Sequence, residues 1–284
     1  MNQPISIWEI PVKHTNMIEI SQSEVTRQFR SLFETNVPNS HKCFGVLDGD
    51  VLGIILTDDP SNPTWGLVRE SGLGASFVGG KIDSLVLTQT VSDLRKVGDV
   101  SFSFWPEDQG NILIPPNPDA LMPDRSFKFS NRSAHITDLI TFSNQIPDGC
   151  DLRPMDSQIM DRCLWGDAYI QAHGSAEAFL GKGLGFCLMD GDEILSEAYA
   201  THFSTGIFEM ATVTREEHHG RRYSTIICAH AIQACEELGY GTLWFCRKTN
   251  LASVAVARKL GYTQMRVFGG ALYRATRTLD DAHG

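Results

Sequence analysis

In the second half of the chain the apolar positions switch between a spacing of two and a spacing of three to four. That pattern predicts strands interleaved with helices. Residues 150–153 predict a strand, 155–165 and 175–182 predict helices, and 184–202 predict a hairpin turned at Asp190-Gly191-Asp192. A strand follows at 206–214 and then a helix to about residue 238, with Ile227, Ala231, Ala234 and Leu238 as its core-facing stripe. A strand at 242–246, a helix at 250–260 and a hairpin turned by Gly269-Gly270 close the chain.

The first half repeats much of this series. "CFGVLDGDVLGIILT" (43–57) and "GFCLMDGDEILSEAYAT" (185–201) both predict strand, Asp-Gly-Asp turn and strand, with the turns 190 − 48 = 142 residues apart. "SLVLTQTVSDLRKVGDVSFSFW" (84–105) and "STIICAHAIQACEELGYGTLWF" (224–245) both predict helix, Gly and strand, with Gly98 and Gly239 separated by 239 − 98 = 141. The chain thus carries two copies of one α/β unit, dividing near residues 143–151. Prolines 106, 115, 116, 118 and 123 predict a long irregular loop at the end of the first copy.

Composition adds boundaries. With 284 residues and 42% hydrophobic content, the chain fits one large or two modest domains with real cores. The net charge of −10 argues against nucleic acid and anionic membranes as partners. "MNQPISIWEIPVKH" has no basic start followed by an apolar run, and no apolar stretch nears the roughly 20 residues that span a bilayer. A cytoplasmic location is expected. The seven cysteines form no CxxC pair, and Cys228 and Cys235 lie too far apart on one helix to bridge, so reduced, mostly buried thiols are expected.

The order of strand, basic loop, helix and strand, followed by "NLASVAVARKLGY", resembles a GNAT-superfamily acyltransferase domain. "FLGKGLGFCLMDGDEILSEAYA", "ACEELGYGTLWF", "RKLGY", "DDPSNPTWGLV" and "PPNPD" resemble, more narrowly, the two-lobed family that includes zwittermicin A resistance acetyltransferases. The resemblance implies an α/β (α+β) fold of tandem GNAT-like units, with mixed, mostly antiparallel sheets flanked by helices. Residues 1–145 would be a degenerate copy without a cofactor site, and 146–284 the acetyltransferase domain. It also implies acetyl-CoA as co-substrate, the amine of a small molecule (an antibiotic or a metabolite) as acceptor, and direct transfer.

"REEHHGRRYSTIICAHAI" (215–232) stands where the superfamily carries Arg/Gln-x-x-Gly-x-Gly/Ala, a loop that holds pyrophosphate on a helix N-terminus. His219 takes the first position, Arg222 the glycine and Ser224 the small residue. Arg222 puts the close backbone approach in doubt, yet Arg221 and Arg222 add charge, and Gly220, Tyr223 and Thr225 still offer backbone N–H groups. Thr212, Val213 and Thr214 would present strand backbone to the donor, and Asn250 and Ser253 are further contacts, Asn250 alternatively a plain helix cap. The corresponding first-half stretch, "SFVGGKIDSL" (76–85), places Asp83 at the helix start, where a carboxylate repels phosphate.

For the base, Glu209 interrupts the apolar row Ile207, Ala211 and Val213, a setting that raises a carboxylate's pKa; Glu197 is its rival. Either could instead be a strand carboxylate satisfied by its neighbours, and which one faces a cleft depends on strand register. Ala257 stands where many GNATs carry a Tyr that protonates the leaving thiolate. Trp165 and Tyr169 lie in the region that covers the acceptor mouth in similar proteins, with core packing expected for Trp165. His218, His219 and His230 lack partners at ligand spacing, so no metal is expected. Two other readings stay open: a non-catalytic ligand-binding relic, and an enzyme for larger acyl donors, against which bulky Trp244 and Phe245 count.

Overall fold

The computed structural model describes residues 17–108, 113–132, 136–203 and 205–276. The first half holds β1 (Ile18–Glu19), α1 (Arg27–Arg30), α2 (Ser40–Asp48), β2 (Gly53–Thr57), β3 (Trp65–Glu70), β4 (Ala75–Gly80), α3 (Ser84–Leu94), β5 (Val100–Phe104), β6 (Ala120–Arg132) and α4 (Ile136–Ser143). The second holds β7 (Cys150–Pro154), α5 (Ser157–Met160), α6 (Gly166–His173), α7 (Ala176–Leu180), β8 (Leu184–Asp190), β9 (Glu193–Phe203), β10 (Ile207–Thr214), α8 (Tyr223–Glu237), β11 (Gly241–Arg247), α9 (Leu251–Lys259) and β12 (Tyr262–Tyr273).

All the strands join one sheet in the order β1-β2-β3-β4-β5-β12-β6-β11-β10-β9-β8-β7. Among the described residues only β4–β5 and β10–β11 pair in parallel. The middle of the order is an exchange: β12, from the end of the chain, lies between β5 and β6, while β6, from the first half, lies between β12 and β11. Each half therefore completes the other's sheet, and neither β5 nor β11 is left as an open edge.

The repeat survives in the order strand, strand, strand, helix, strand, as β2–β3–β4–α3–β5 and β8–β9–β10–α8–β11. One part of the expected echo does not. Residues 43–48 are the body of α2 and not a strand, since Cys43, Phe44, Val46 and Leu47 bury together against β3 and β4. Gly49, left-handed at φ 74, ends that helix. The second Asp-Gly-Asp is the expected hairpin turn, with Gly191 at φ 56 between β8 and β9.

Two further expectations are corrected at β12. It is one strand through Gly269-Gly270, not a hairpin, and its register with β6 shifts between Phe268 and Gly270. A Cβ on Gly269 would lie 2.5 Å from the Phe104 ring and 2.7 Å from the Pro123 carbonyl, so glycine serves close approach here. Pro123 itself lies within β6, opposite that irregularity, where a missing N–H is tolerated. On α8 the buried face runs through Cys228, Ala231, Ile232 and Cys235, while Leu238 at the end of the stripe is exposed.

Because the two halves share strands, unfolding is predicted to be a single calorimetric transition rather than two. Gly269→Val should lower stability by about 1–3 kcal/mol through overpacking at the exchange, read as a lower denaturation midpoint. Two resolved transitions in the wild-type chain would contradict this view.

Candidate active site

β10 and β11 pair from Ile207↔Gly241 to Met210↔Trp244, where their pairing ends. β10 continues to Thr214 held only by β9, and β11 to Arg247 held by β6. The strands thus part like an opening V. Alternate residues of a strand direct their backbone groups to opposite edges, so part of the 211–214 backbone faces the gap.

A cavity of about 810 Å³ fills that gap, within the usual range for ligand sites. Thr212, Val213 and Thr214 form its strand wall, and Asn250 and Ser253 line it opposite. From the loop come His219, Gly220, Arg222, Tyr223 and Ser224. Arg221 and Thr225 are not part of the lining: Arg221 is exposed and Thr225 is buried in the first turn of α8.

Arg222 takes over the glycine position in conformation as well as in sequence. Its φ is 67 and ψ 10, a left-handed N-cap, and its side chain makes no cap hydrogen bond to the start of α8. The first turn of α8 is therefore open to a ligand at the cavity. His219 Nε2 bonds the Thr214 carbonyl (2.9 Å), tying the loop to the end of β10. Asn250 caps α9 by accepting from the Ser253 N–H (3.0 Å), and Ser253 Oγ accepts from Trp244 Nε1 (3.0 Å). In the first half, by contrast, Asp83 accepts from the Leu85 and Val86 amides at 2.8 and 3.3 Å, so its own carboxylate occupies the start of α3.

The other end of the cavity belongs to both halves. Glu209 of β10 accepts from His41 Nε2 (2.8 Å) and Lys42 Nζ (3.2 Å), both on α2. Glu70, at the end of β3, joins the lining and accepts from the Gly72 and Leu73 amides. The raised pKa expected of Glu209 is not found. Burial pushes it up, but Lys42 and His41 outweigh burial and hold it at about 2. Burial works against the Lys42 ammonium too, yet Glu209 and Glu70 raise its pKa, while burial dominates at His41 and lowers it. His41 is thus a neutral donor packed between Phe203 and Phe245.

Glu197 shares the sheet face of Glu209, since β9 pairs Thr201 with Glu209 and Glu197 with Val213. Four residues of strand separate the two, roughly 13 Å. Glu197 is nevertheless only 1% exposed and lies outside the cavity lining. It accepts from the Leu164 N–H (2.7 Å), the Trp165 N–H (3.3 Å) and the Tyr199 hydroxyl (2.9 Å). It is a structural carboxylate, which corrects its candidacy as a base. Trp165 is corrected as well: it is 38% exposed and lines the cavity together with Tyr169, which stacks on Tyr199 at 4.0 Å.

The family model for GNAT acetyltransferases matches residues 30–269. The chain belongs to the GNAT acetyltransferase family. An uncharacterized N-acetyltransferase of Bacillus subtilis, YdfB, is 26% identical over 231 residues, covering 77% of this chain and 85% of that protein. A GCN5-related N-acetyltransferase-like protein from Streptococcus suis shares the fold at TM-score 0.60 and 18% identity, over 89% of this chain and 98% of its own. A tandem GNAT protein from the clavulanic acid biosynthesis pathway does so at TM-score 0.56 and 10% identity, over 93% and 99%. The protein is an acyltransferase with a tandem GNAT architecture.

Within this GNAT acetyltransferase, sequence reasoning missed His41, Lys42 and Glu70. Reading 43–57 as a hairpin hid them; a helical reading of "SHKCFGVLD" puts the His-Lys pair in the first turn of a buried helix, a usable signal. Glu209→Ala is expected to cost about 3 kcal/mol, because it leaves a buried ammonium unpaired. Adding Lys42→Met should restore much of that loss, measured by urea denaturation; strict additivity would contradict the pairing. The sign with pH follows from the depressed pKa: the pair's contribution is complete above the carboxylate's ordinary 4.5 and is lost as pH falls through about 2.

Proposed function

We propose that this enzyme is an acetyl-CoA-dependent N-acetyltransferase that transfers the acetyl group directly to the amine of a small molecule, an antibiotic or a metabolite. One observation carries the reading: a single cavity runs from the uncapped start of α8 to Glu209. The loop end suits the donor's pyrophosphate, with Arg222 beside open first-turn amides. The backbone exposed by the parting of β10 and β11 suits the pantetheine arm. Trp244 and Phe245 are bulky residues of the lining and favour a short acyl chain.

The acceptor end combines the Glu70 and Glu209 carboxylates with one ammonium, Lys42, among aromatic side chains, which suits a cationic amine. A carboxylate held at about 2 takes up a proton poorly near neutrality. Glu209 therefore acts here by binding and orienting the acceptor's ammonium, not as its base. Turnover should accordingly rise with pH along the acceptor amine's own titration, with no step from Glu209. Ala257, fully buried, offers no proton to the leaving thiolate, so the thiolate leaves unassisted by that position. In this reading residues 146–284 carry the cofactor site, and residues 1–145 are a pseudo-copy that completes the acceptor wall. The seven unpaired cysteines fit a reducing cytoplasm.

Calorimetric titration with acetyl-CoA tests the reading. Wild type and Glu209→Gln should bind alike, since Glu209 lies at the far end. Glu209→Gln should then raise the acceptor KM about 10- to 100-fold, the worth of a lost charged hydrogen bond. Arg222→Gly should stabilise the fold by about 1 kcal/mol by relieving the left-handed conformation, while weakening acetyl-CoA binding. Absence of binding in the folded wild type would overturn the proposal in favour of a non-catalytic relic.

A further inference from the structure

Cys163 and Cys187 bring their sulfurs to 3.6 Å. Cys187 lies on β8 with no exposed surface, and Cys163 lies half-buried in the turn between α5 and α6. A disulfide needs about 2.05 Å between sulfurs, so bridging asks for a closure of roughly 1.5 Å. A turn can supply that; a strand paired on both sides cannot.

The turn is tied to the cavity. Immediately after Cys163, the Leu164 and Trp165 amides are held by the Glu197 carboxylate at 2.7 and 3.3 Å. The Trp165 ring lies over Tyr199 and lines the cavity. Among the described residues the one group placed to give a metal three ligands is Glu193, Glu217 and His218, elsewhere on the surface. The two sulfurs lack a third ligand of that kind, which favours redox chemistry over metal binding.

The two thiols differ in readiness. The Cys187 hydrogen bond, with help from Tyr199 and Arg215, holds the Cys163 thiol below its usual value against burial and the Glu197 charge. Donation to Cys163, and then burial, push Cys187 up. Burial also pushes Cys228 and Cys235 up to about 12, leaving them inert.

We propose that Cys163 and Cys187 are a redox modification site, closed to a disulfide by a peroxide, and that closure pulls Leu164 and Trp165 from Glu197 and reshapes the cavity mouth. The Cys163 thiolate attacks hydrogen peroxide, breaking the O–O bond to give the sulfenic acid and hydroxide. The Cys187 sulfur, giving up its proton, then attacks the Cys163 sulfur and displaces the second hydroxide. Two thiols and one peroxide yield one disulfide and two waters.

The test uses the full-length reduced chain, treated with hydrogen peroxide, alkylated with iodoacetamide, digested with trypsin and mapped without reduction. Lys182 separates the two cysteines into different tryptic peptides. The expected result is those two peptides joined, released by dithiothreitol, with faster amide exchange in the segment carrying Leu164 and Trp165. Cys163→Ser should abolish the joined species and leave Cys187 alkylatable after unfolding. Three results would each overturn the proposal: Cys163 recovered as sulfinic acid beside free Cys187, a link to another cysteine, or unchanged exchange at Leu164 and Trp165. None of these readouts depends on acetyltransferase activity.

Discussion

Two half-sheets that each lack a strand cannot stand apart, and the reciprocal placement of β6 and β12 is the constraint on which the rest of this protein depends. The N–H and C=O groups along β5 and β11 need partners once buried, and they find them in strands from the opposite half. The exchange fixes where the halves meet. It sets α2 of the first half against the second-half strands, so that Phe203 of β9 packs into the first-half core and Lys42 reaches Glu209. Lys182, with Nζ 2.8 Å from the Gly49 carbonyl, and Leu52, whose N–H donates to the Ala172 carbonyl, close the same seam at the cavity rim. The end of the cavity at Glu209 is thus a product of the sheet topology.

The repeat also provides an internal comparison of two helix N-termini in equivalent places. At α3 a carboxylate from Asp83 satisfies the first-turn amides, which removes the positive end from use. At α8 the N-cap side chain does not, and Arg222 adopts a left-handed conformation that a glycine would reach without strain. Retaining an arginine there, at a conformational cost of about 1 kcal/mol, makes sense where a cation beside those amides has work to do.

How much of this was legible follows element by element. The α8, β11 and α9 series was clear because long apolar periods bounded by Gly239 and Asn250 admit few alternatives. The first-half Asp-Gly-Asp misled, since a glycine after an apolar run ends a helix as readily as it turns a hairpin. Only the packing of Cys43, Phe44, Val46 and Leu47 on the sheet decides between them. The exchange of β6 and β12 leaves no local trace, because pairing partners more than a hundred residues apart have no signature in either segment. Most residues singled out from the loop and the two helix starts do line the cavity, with Arg221 and Thr225 outside it. The other end of the cavity was not legible, because its charged cluster of His41, Lys42, Glu70 and Glu209 is assembled across both halves.

Glu209 shows why such an environment resists sequence reasoning even when the residue itself is singled out. A carboxylate in an apolar row suggests desolvation and a raised pKa, and desolvation is indeed the largest single influence on it. The combined pull of an ammonium at 3.2 Å and an imidazole N–H at 2.8 Å is greater still, and the sign reverses. Those partners lie 168 residues away, in His41, and beside it in Lys42. With the sign goes the role: a carboxylate stabilised as an anion holds a cation well and takes its proton poorly. The chemistry available to β10 is therefore set by the turn of helix that the other half lays against it.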